Sequence, residues 1–255
     1  MHWARVQTSD GTIITGVVED GMLHPKAALG SDKPAGDAVA MSDVSLLPPV
    51  QPGKFIGLWN NFHAAAERNG WTPPTHPLYF FKASTSLTGH DTDVEIPADV
   101  GRVLFEGELG VVIGTHCKNV NEAEAEEAIF GYTCVNDLTA LQILTEDDSF
   151  PQWTRAKSYD GFGVVGPYIA TGLNWQDLEV KVVVGTRERQ SFPASDMIMS
   201  PAKIVSLLSK DMTLEPGDLI ACGTSVGARP IKAGDRVEVV IEGIGGVAVT
   251  MQAAS

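Results

Sequence analysis

Two glutamates, Glu106 and Glu108, interrupt an otherwise apolar run at residues 103–114, VLFEGELGVVIG. The run reads as one strand, and in a strand the side chains at positions i and i+2 project to the same face. Two unpaired carboxylates on one buried face repel each other and resist burial, so a positive partner must lie between them. That partner is either a lysine or arginine side chain or a metal ion.

A third carboxylate, Asp137, follows the apolar segment YTCVN at residues 132–136, which predicts a strand. Hard divalent cations prefer oxygen ligands, and Mg²⁺ sites combine a few carboxylates with positions left open for water or substrate. Glu106, Glu108 and Asp137 are therefore candidate metal ligands. The spacing of Glu106 and Glu108 alone is equally compatible with a solvated acidic face paired with nearby bases.

The composition limits the class of protein. At 255 residues, with 44% hydrophobic and 20% charged residues, the chain is long enough for one domain with a well-buried core, alone or with a small appendage. A formal net charge of −14 argues against nucleic acid and anionic membrane as partners. No apolar run is long enough to cross a bilayer, and residues 1–6 lack the pattern of a signal peptide. We therefore expect a cytoplasmic protein.

The three cysteines, Cys117, Cys134 and Cys222, are odd in number, widely spaced and without a CxxC pair. This pattern predicts neither a disulfide framework nor a zinc site. We interpret them as reduced core residues.

The chain divides into two predicted units. Residues 1–50 have the pattern of a small N-terminal β subdomain, with short strands separated by Ser-Asp-Gly and Glu-Asp-Gly turns. The proline-rich segment PPVQP ends this unit, and the second domain comprises residues 53–255. There strands outnumber helices and do not alternate with long helices, which favours a β-rich α+β fold over a doubly wound parallel sheet. The predicted strands are residues 3–7, 12–18, 54–58, 78–82, 132–136, 178–184, 188–192, 219–222 and 236–242.

Helices are predicted at three places. Asn121 can accept a hydrogen bond from a free backbone N–H, so it begins a helix that ends near residue 129. Pro201 follows Ser200 and begins a helix that ends near residue 209, because proline at the first helical position costs little. A shorter helix is predicted at residues 62–68.

Four segments, in this order along the chain, resemble the fumarylacetoacetate hydrolase family: FEGELGVVIG, GYTCVNDLTA, RAKSYDGFGVVGP and ACGTSVGARPIKAGDRVEVVIEGIG. They carry ExE, NDxTA, KSxDxFxxxGP and GTxxG elements, which are jointly specific for the family. The similarity begins near Lys54 and covers about four fifths of the chain. The resemblance implies the mixed β roll or sandwich of this family, with the N-terminal β subdomain packed beside it, and a homodimer.

The resemblance also implies a metal and a catalytic lysine. In the family the ExE pair and the later Asp bind Mg²⁺ or a similar divalent ion, which corresponds here to Glu106, Glu108 and Asp137. Mn²⁺ and Ca²⁺ accept the same oxygen ligands. Lys157 in AKSYD corresponds to the family's lysine that faces the substrate, and its charge suits the carboxylate or enolate of a 2-oxo acid.

Further positions correspond to the family's substrate contacts. Thr224 in CGTSVG corresponds to a residue that lines the substrate carboxylate, and Gly223 and Gly227 allow the backbone to approach closely. Lys82 in LYFFKAS corresponds to the lysine of an FxKP motif near the cleft, with Ala83 in place of the usual proline.

His63 lies in GLWNNFHAAAERNG, which resembles the family's lid segment. In that segment a histidine and a glutamate three residues later activate water for attack on a carbonyl carbon. Here Ala66 occupies the glutamate position and Glu67 follows it. Since positions i and i+4 share a helix face, His63 and Glu67 can still interact, or the shift breaks the pair.

Two leucines alter the expected substrate pocket. After NDLTA the family often has Arg and, three positions later, Gln, where this chain has Leu141 and Leu144. We therefore expect a more apolar wall than a short acylpyruvate needs. Residues 146–153 are expected to form a surface loop at the rim of the site.

The resemblance implies a metal-dependent enzyme for a small-molecule substrate, a 2-oxo or 2-hydroxy-dienoic acid or diacid of aromatic catabolism, acting through a metal-bound enolate. Since C–C hydrolysis most needs the His63 and Glu67 pair, we expect an isomerase or decarboxylase, similar to the family's 2-hydroxyhepta-2,4-diene-1,7-dioate isomerases. A C–C hydrolase of acylpyruvates, of the fumarylpyruvate type, is the alternative. A catalytically silent relative that binds metal or ligand is a second one.

Overall fold

The structure is a computed structural model that describes residues 1–254, and it consists mainly of β-strands. The helices are α1 (His63–Asn69), α2 (Glu122–Ala128), α3 (Leu141–Leu144), α4 (Trp153–Lys157) and α5 (Pro201–Asp211). The strands are β1 (His2–Thr8), β2 (Ile13–Glu19), β3 (Met22–Pro25), β4 (Val39–Ala40), β5 (Val44–Leu47), β6 (Phe55–Trp59), β7 (Leu78–Lys82), β8 (Leu87–Thr88), β9 (Thr92–Ile96), β10 (Val103–Leu104), β11 (Gly107–Ile113), β12 (Ile129–Asp137), β13 (Thr139–Ala140), β14 (Gly163–Ala170), β15 (Glu179–Val184), β16 (Arg187–Pro193), β17 (Leu219–Ala221), β18 (Pro230–Ile231), β19 (Arg236–Ile241) and β20 (Gly245–Ala253).

The strands form three sheets. The largest has the order β4-β3-β2-β1-β14-β12-β11-β17-β6-β7, with β5 beside β1 and β8 beside β14. It is mixed, because β17 runs parallel to β6 while β11 and β12 are antiparallel. A second sheet has the order β16-β15-β19-β20-β9, and a third, small one has the order β13-β10-β18. The predicted β-rich fold with mixed sheets is confirmed.

The main core lies where the largest sheet meets the second sheet. Strands β12 and β14 pack against β19 and β20, and the side chains between them are apolar and fully buried, including Cys134, Val164, Val249 and Met251. Burial of these side chains removes a large apolar area from water and is the main stabilising contribution. All three cysteines are free and buried, as the sequence predicts.

The N-terminal strands are hydrogen-bonded to the rest of the protein. Strand β1 pairs with β14, with His2 opposite Ala170 and Trp3 opposite Ile169, so the largest sheet contains strands from both predicted units. The division into residues 1–50 and 53–255 stays a prediction. Within residues 1–254, no helix is long and apolar enough to cross a membrane.

Local sequence signals place two helices correctly. Asn121 caps α2 through a capping box, in which its side chain accepts from Glu124 N and the Glu124 side chain accepts from Asn121 N. Ser200 caps α5 by accepting from Lys203 N, with Pro201 as the first helical residue.

The single strand expected at residues 103–114 is wrong. Strand β10 ends at Leu104 and β11 begins at Gly107, so Phe105 and Glu106 lie between two strands of different sheets. The break lets β10 pair with β13 and β18 while β11 continues into the large sheet. It also frees Glu106 N to donate to Asn136 Oδ1 at 3.0 Å instead of to a neighbouring strand.

Candidate active site

Three carboxylates converge at the start of β11 and the end of β12. These strands pair with Gly107 opposite Asn136, which brings the flanking residues Glu106, Glu108 and Asp137 together. One carboxylate oxygen from each of the three lies within 4.8 Å of the others. The sequence prediction that these acids form one cluster is therefore consistent with the register of two neighbouring strands.

Glu108 is fully buried, and one of its oxygens lacks a partner. Oε2 accepts from Gly223 N at 2.7 Å, whereas Oε1 is buried and receives no hydrogen bond within residues 1–254. Burial raises the pKa of Glu108 well above its usual value, and the nearby charge of Asp137 raises it further. A buried carboxylate oxygen without a donor needs a positive partner.

Two lysines neutralise part of the cluster. Lys157 Nζ donates to Glu106 Oε2 and to Asp137 Oδ2, each at 2.7 Å, and Lys82 Nζ donates to Asp137 Oδ1 at 2.6 Å. Burial would lower the pKa of Lys157, but Asp137, Glu106 and Glu108 outweigh it and hold that pKa above the usual value. Lys157 is therefore charged at neutral pH.

The charge balance and the donor set fit a divalent cation. With all five groups ionised, three carboxylates against two ammonium groups carry one excess negative charge, and Oε1 of Glu108 has no hydrogen-bond partner. All candidate ligands are carboxylate oxygens, which Mg²⁺, Mn²⁺ and Ca²⁺ prefer. With a divalent cation added, the cluster would carry one net positive charge, which suits an anionic ligand.

A cavity of about 660 Å³ adjoins this cluster. Glu106, Lys157 and Thr224 belong to its lining, so the cluster is accessible from the cavity side. Lys82 lies behind the carboxylates instead: its side chain is fully buried and also donates to the carbonyl groups of Lys157 and Phe162. The other residues that line the cavity are Leu58, Trp59, Asn60, Ala65, Arg68, Asn69, Trp71, Leu104, Thr139, Leu141, Leu144, Trp153, Ser225, Val226, Gly227, Ala228 and Arg229.

The loop after β17 is fixed against β11. Gly223 has a φ of +90°, which favours glycine, and a Cβ there would lie 3.3 Å from Leu58 O. This conformation directs Gly223 N at Glu108. Thr224 Oγ1 donates to Gly107 O at 2.8 Å and faces the cavity, so both predicted residues lie beside the carboxylate cluster.

Gln190, on β16, is a site residue that the sequence did not reveal. Its side chain is buried, accepts from Gly107 N at 3.1 Å and donates to Thr224 Oγ1 at 3.0 Å. It thereby joins the second sheet to both the ExE segment and the loop at Thr224. The sequence contains a weak signal for this role. Gln190 shares a strand face with the apolar Phe192, and a polar side chain on a buried face needs a hydrogen-bond partner.

His63 and Glu67 lie on the exposed surface of α1. A helix turns about 100° per residue, so these two residues share one face, whereas Ala65, Arg68 and Asn69 form the opposite face. Those three residues line the cavity, and neither His63 nor Glu67 does. In this conformation the predicted pair is therefore directed away from the carboxylate cluster.

The β-rich fold, with carboxylates and lysines gathered at a cavity, is typical of a metal-dependent enzyme for small molecules. Residues 54–252 match the family model described as fumarylacetoacetate (FAA) hydrolase C-terminal, and residues 1–49 match the model described as Rv2993c-like, N-terminal. The chain belongs to the fumarylacetoacetate hydrolase family, which confirms the resemblance inferred from the motifs.

Related sequences extend over most of the chain. An uncharacterized protein of Archaeoglobus fulgidus is 42% identical over 210 residues, which are 82% of this chain and 83% of that protein. Protein Rv2993c of Mycobacterium tuberculosis is 37% identical over an alignment 258 positions long, which covers 96% of this chain and 96% of that protein.

Similar solved structures include isomerases and a hydrolase. The 5-carboxymethyl-2-hydroxymuconate delta-isomerase of Mycobacterium smegmatis superposes with a TM-score of 0.90 at 35% identity, covering 100% of both chains. The 2-hydroxyhepta-2,4-diene-1,7-dioate isomerase of Mycobacterium marinum has a TM-score of 0.89 at 35% identity, covering 100% of this chain and 99% of that one. The maleylpyruvate hydrolase of Sphingobium sp. SYK-6, in complex with manganese(II) and pyruvate, has a TM-score of 0.80 at 28% identity and covers 100% of both chains.

Proposed function

We propose that the protein is a divalent-cation-dependent enzyme that isomerises or decarboxylates 2-oxo or 2-hydroxy-dienoic acids from the breakdown of aromatic compounds. One observation carries the proposal. Lys157 is charged and buried, forms ion pairs with Glu106 and Asp137 of the carboxylate cluster, and lines the cavity. Such an arrangement binds an anion and stabilises negative charge that develops on it. The names of the similar isomerases describe dienoic acids and support this choice.

Glu106, Glu108 and Asp137 would hold the cation, with Mg²⁺ as the first candidate and Mn²⁺ or Ca²⁺ as others. When bound, a divalent cation supplies Lewis acidity toward the oxygens of a 2-oxo acid. Burial would raise the pKa of Asp137, but Lys157 and Lys82 outweigh it and lower that pKa. Lys82 also orients the carboxylate from behind, because its Nζ donates to Oδ1.

Lys157 supplies the positive charge on the cavity side. An ammonium group has three donors, and two of them bond to Glu106 and Asp137. The third is free to donate to a carboxylate or enolate oxygen of the substrate. Since the acids raise its pKa above the usual value, Lys157 acts as a donor of charge and hydrogen bonds rather than as a proton acceptor.

The enolate of a 2-oxo acid leads to more than one product. When the enolate forms by loss of a proton, reprotonation at a different carbon completes an isomerisation. When it forms by loss of CO₂ from a carboxyl group β to the 2-oxo group, which takes up the electron pair, protonation completes a decarboxylation. Hydrolysis needs an activated water as well, and His63 and Glu67 lie on the face of α1 that is opposite the cavity face. This placement favours isomerisation or decarboxylation.

C–C bond hydrolysis of an acylpyruvate is the second candidate. It is supported by the similarity to the maleylpyruvate hydrolase, whose structure contains manganese and pyruvate. It would require α1 to rotate or shift so that His63 and Glu67 reach the cavity.

The test is a product analysis of the Mg²⁺-loaded protein with oxaloacetate, acetylpyruvate and 2-hydroxyhepta-2,4-diene-1,7-dioate. We expect CO₂ release or isomerisation by the wild type, and none by the Lys157→Ala variant. Cleavage of acetylpyruvate would identify a hydrolase instead. If the wild type bound these acids tightly and converted none of them, the protein would be a silent binding relative and the proposal would be wrong.

A further inference from the structure

Three of the five tryptophans lie together on the cavity wall: Trp59, Trp71 and Trp153, here called the tryptophan wall. Trp59 is at the centre, with its ring centroid 4.9 Å from that of Trp71 and 5.6 Å from that of Trp153. The rings are tilted by about 50° against each other. They therefore form a continuous aromatic surface.

Each indole comes from a different segment of the chain. Trp59 ends β6, and Trp71 follows the glycine that caps α1, with its backbone N–H bonded to Ala66 O at 2.9 Å. Trp153 is the first residue of α4 and stacks on Phe80 at 5.4 Å. Within residues 1–254, no indole N–H of the wall donates a hydrogen bond to a protein acceptor. The three donors remain available to a ligand or to water.

The tryptophan wall adjoins the carboxylate cluster. Trp153 and Lys157 are the ends of α4, four residues apart, so their Cα atoms are separated by about 6 Å along the helix. Lys157 Nζ also lies 5.3 Å from the centroid of the Phe80 ring, on which Trp153 stacks. The acid end of a ligand at Lys157 would therefore lie close to the wall.

Leucines also belong to the cavity lining. They are Leu58, which precedes Trp59, and Leu104, Leu141 and Leu144. Two arginines, Arg68 and Arg229, belong to the lining, and both are exposed to solvent. An anionic tail would bind at these arginines in competition with water, whereas an aromatic tail would bury apolar surface against the wall and the leucines.

We propose that the tryptophan wall is an aromatic subsite, and that the substrate is a 2-oxo acid whose tail carries an aromatic ring instead of a second carboxylate. The inference rests on the proposed function for the acid end of the substrate. Stacking on Trp59 and Trp153 and removal of apolar surface from water provide the affinity for the ring. Leu141 and Leu144 offer no hydrogen-bond donor to a second carboxylate, which would have to bind at the exposed Arg68 or Arg229.

The test compares ligands that share one end and differ in the tail. Phenylpyruvate and oxaloacetate carry a phenyl ring and a carboxylate, respectively, on the same CH₂–CO–COO⁻ unit, and pyruvate has no tail. With Mg²⁺ present, isothermal titration calorimetry should show phenylpyruvate binding roughly tenfold or more tightly than pyruvate, since burying one ring contributes at least that much. Oxaloacetate should show no such gain. Tighter binding of oxaloacetate than of phenylpyruvate would overturn the subsite.

Variants test whether the tryptophan wall causes the tighter binding of phenylpyruvate. Trp71→Ala and Trp153→Ala should each lower the affinity for phenylpyruvate roughly tenfold and leave that for pyruvate unchanged. Trp175→Ala, which removes a partly buried indole outside the cavity, is the matched control and should change neither affinity. Equal losses in all three variants, or no loss in the first two, would contradict the proposal. Should Trp153→Ala fail to fold, Trp71→Ala alone decides, because Trp71 is 38% exposed and outside the core.

The two proposals fail in different ways. Tight binding of phenylpyruvate without conversion of any 2-oxo acid would refute the proposed function and support the subsite. Conversion of diacids with weak binding of phenylpyruvate would refute the subsite and support the proposed function. If none of the three ligands bound, both proposals would be wrong.

Discussion

Lys82 and Asp137 lie in direct contact behind the cavity, with Lys82 Nζ 2.6 Å from Asp137 Oδ1, and both side chains are fully buried. The other oxygen of Asp137 accepts from Lys157, so one carboxylate is held between two ammonium groups. Removing Lys82 takes away one of the two ammonium groups that compensate this buried carboxylate. We therefore expect Lys82→Met to lower the free energy of unfolding by about 3 kcal/mol, measured by urea denaturation.

A surface pair is the control for that prediction. Lys181 lies 3.2 Å from Glu179, and their side chains are 43% and 47% exposed. Lys181→Met should change the free energy of unfolding by less than about 1 kcal/mol, because solvent screens exposed ion pairs. Similar losses in both variants would show that burial of Lys82 is not the cause.

Gln190 should act as a positioning residue. Gln190→Leu removes the hydrogen bonds to Gly107 and Thr224 but keeps the approximate volume of the side chain. We expect kcat/KM for a 2-oxo acid to fall about tenfold, mainly through KM, because Thr224 loses its fixed orientation. Steady-state kinetics check this, with the exposed Gln176→Leu as control. An unchanged KM in Gln190→Leu would contradict the role.

His63 should be dispensable for the favoured reactions. Since His63 and Glu67 lie outside the cavity lining, His63→Ala should change the rate of isomerisation or decarboxylation by less than about twofold. A hydrolytic reaction that used His63 as base would instead fall about a hundredfold or more. The comparison of both rates in the wild type and the variant distinguishes the two classes of enzyme.

Glu108 should destabilise the metal-free protein, because its carboxylate is buried with an oxygen that has no hydrogen-bond donor. A neutral amide costs less to bury, so Glu108→Gln should raise the free energy of unfolding of the metal-free protein by about 1 kcal/mol. Saturating Mg²⁺ should raise the melting temperature of the wild type by several degrees and that of the variant much less. Thermal unfolding with and without Mg²⁺ measures both effects. Equal Mg²⁺ shifts would remove Glu108 from the ligand set.

Features that depend on residues close in sequence, or on the pairing of two strands, could be predicted from the sequence. The cap at Asn121 depends on Glu124, three residues away, and the carboxylate cluster depends on the ends of two predicted strands. Features that join distant segments were not predictable. Gln190 reaches Gly107 only because the second sheet packs on the first, and no local pattern encodes that contact.

The tryptophan wall and the break between β10 and β11 were not predictable for the same reason, because both depend on contacts between distant segments. Trp153 was expected in a surface loop, but it begins α4 and contacts Trp59 and Phe80 from other parts of the chain. The apolar run at residues 103–114 favours one strand, yet β10 has partners in a separate small sheet. Hydrophobic periodicity describes how each segment is buried and not which sheet it joins.

The measurement that tests the central claim most directly is a calorimetric titration of metal-free protein with Mn²⁺. We compare the wild type with Asp137→Asn, which removes a charge from the cluster, and with Glu67→Gln, which removes an acid from the exposed face of α1. We predict a single binding site in the wild type and in Glu67→Gln, and an affinity on the order of 100-fold lower in Asp137→Asn. The same affinity in Asp137→Asn as in the wild type would contradict the assignment of the metal site.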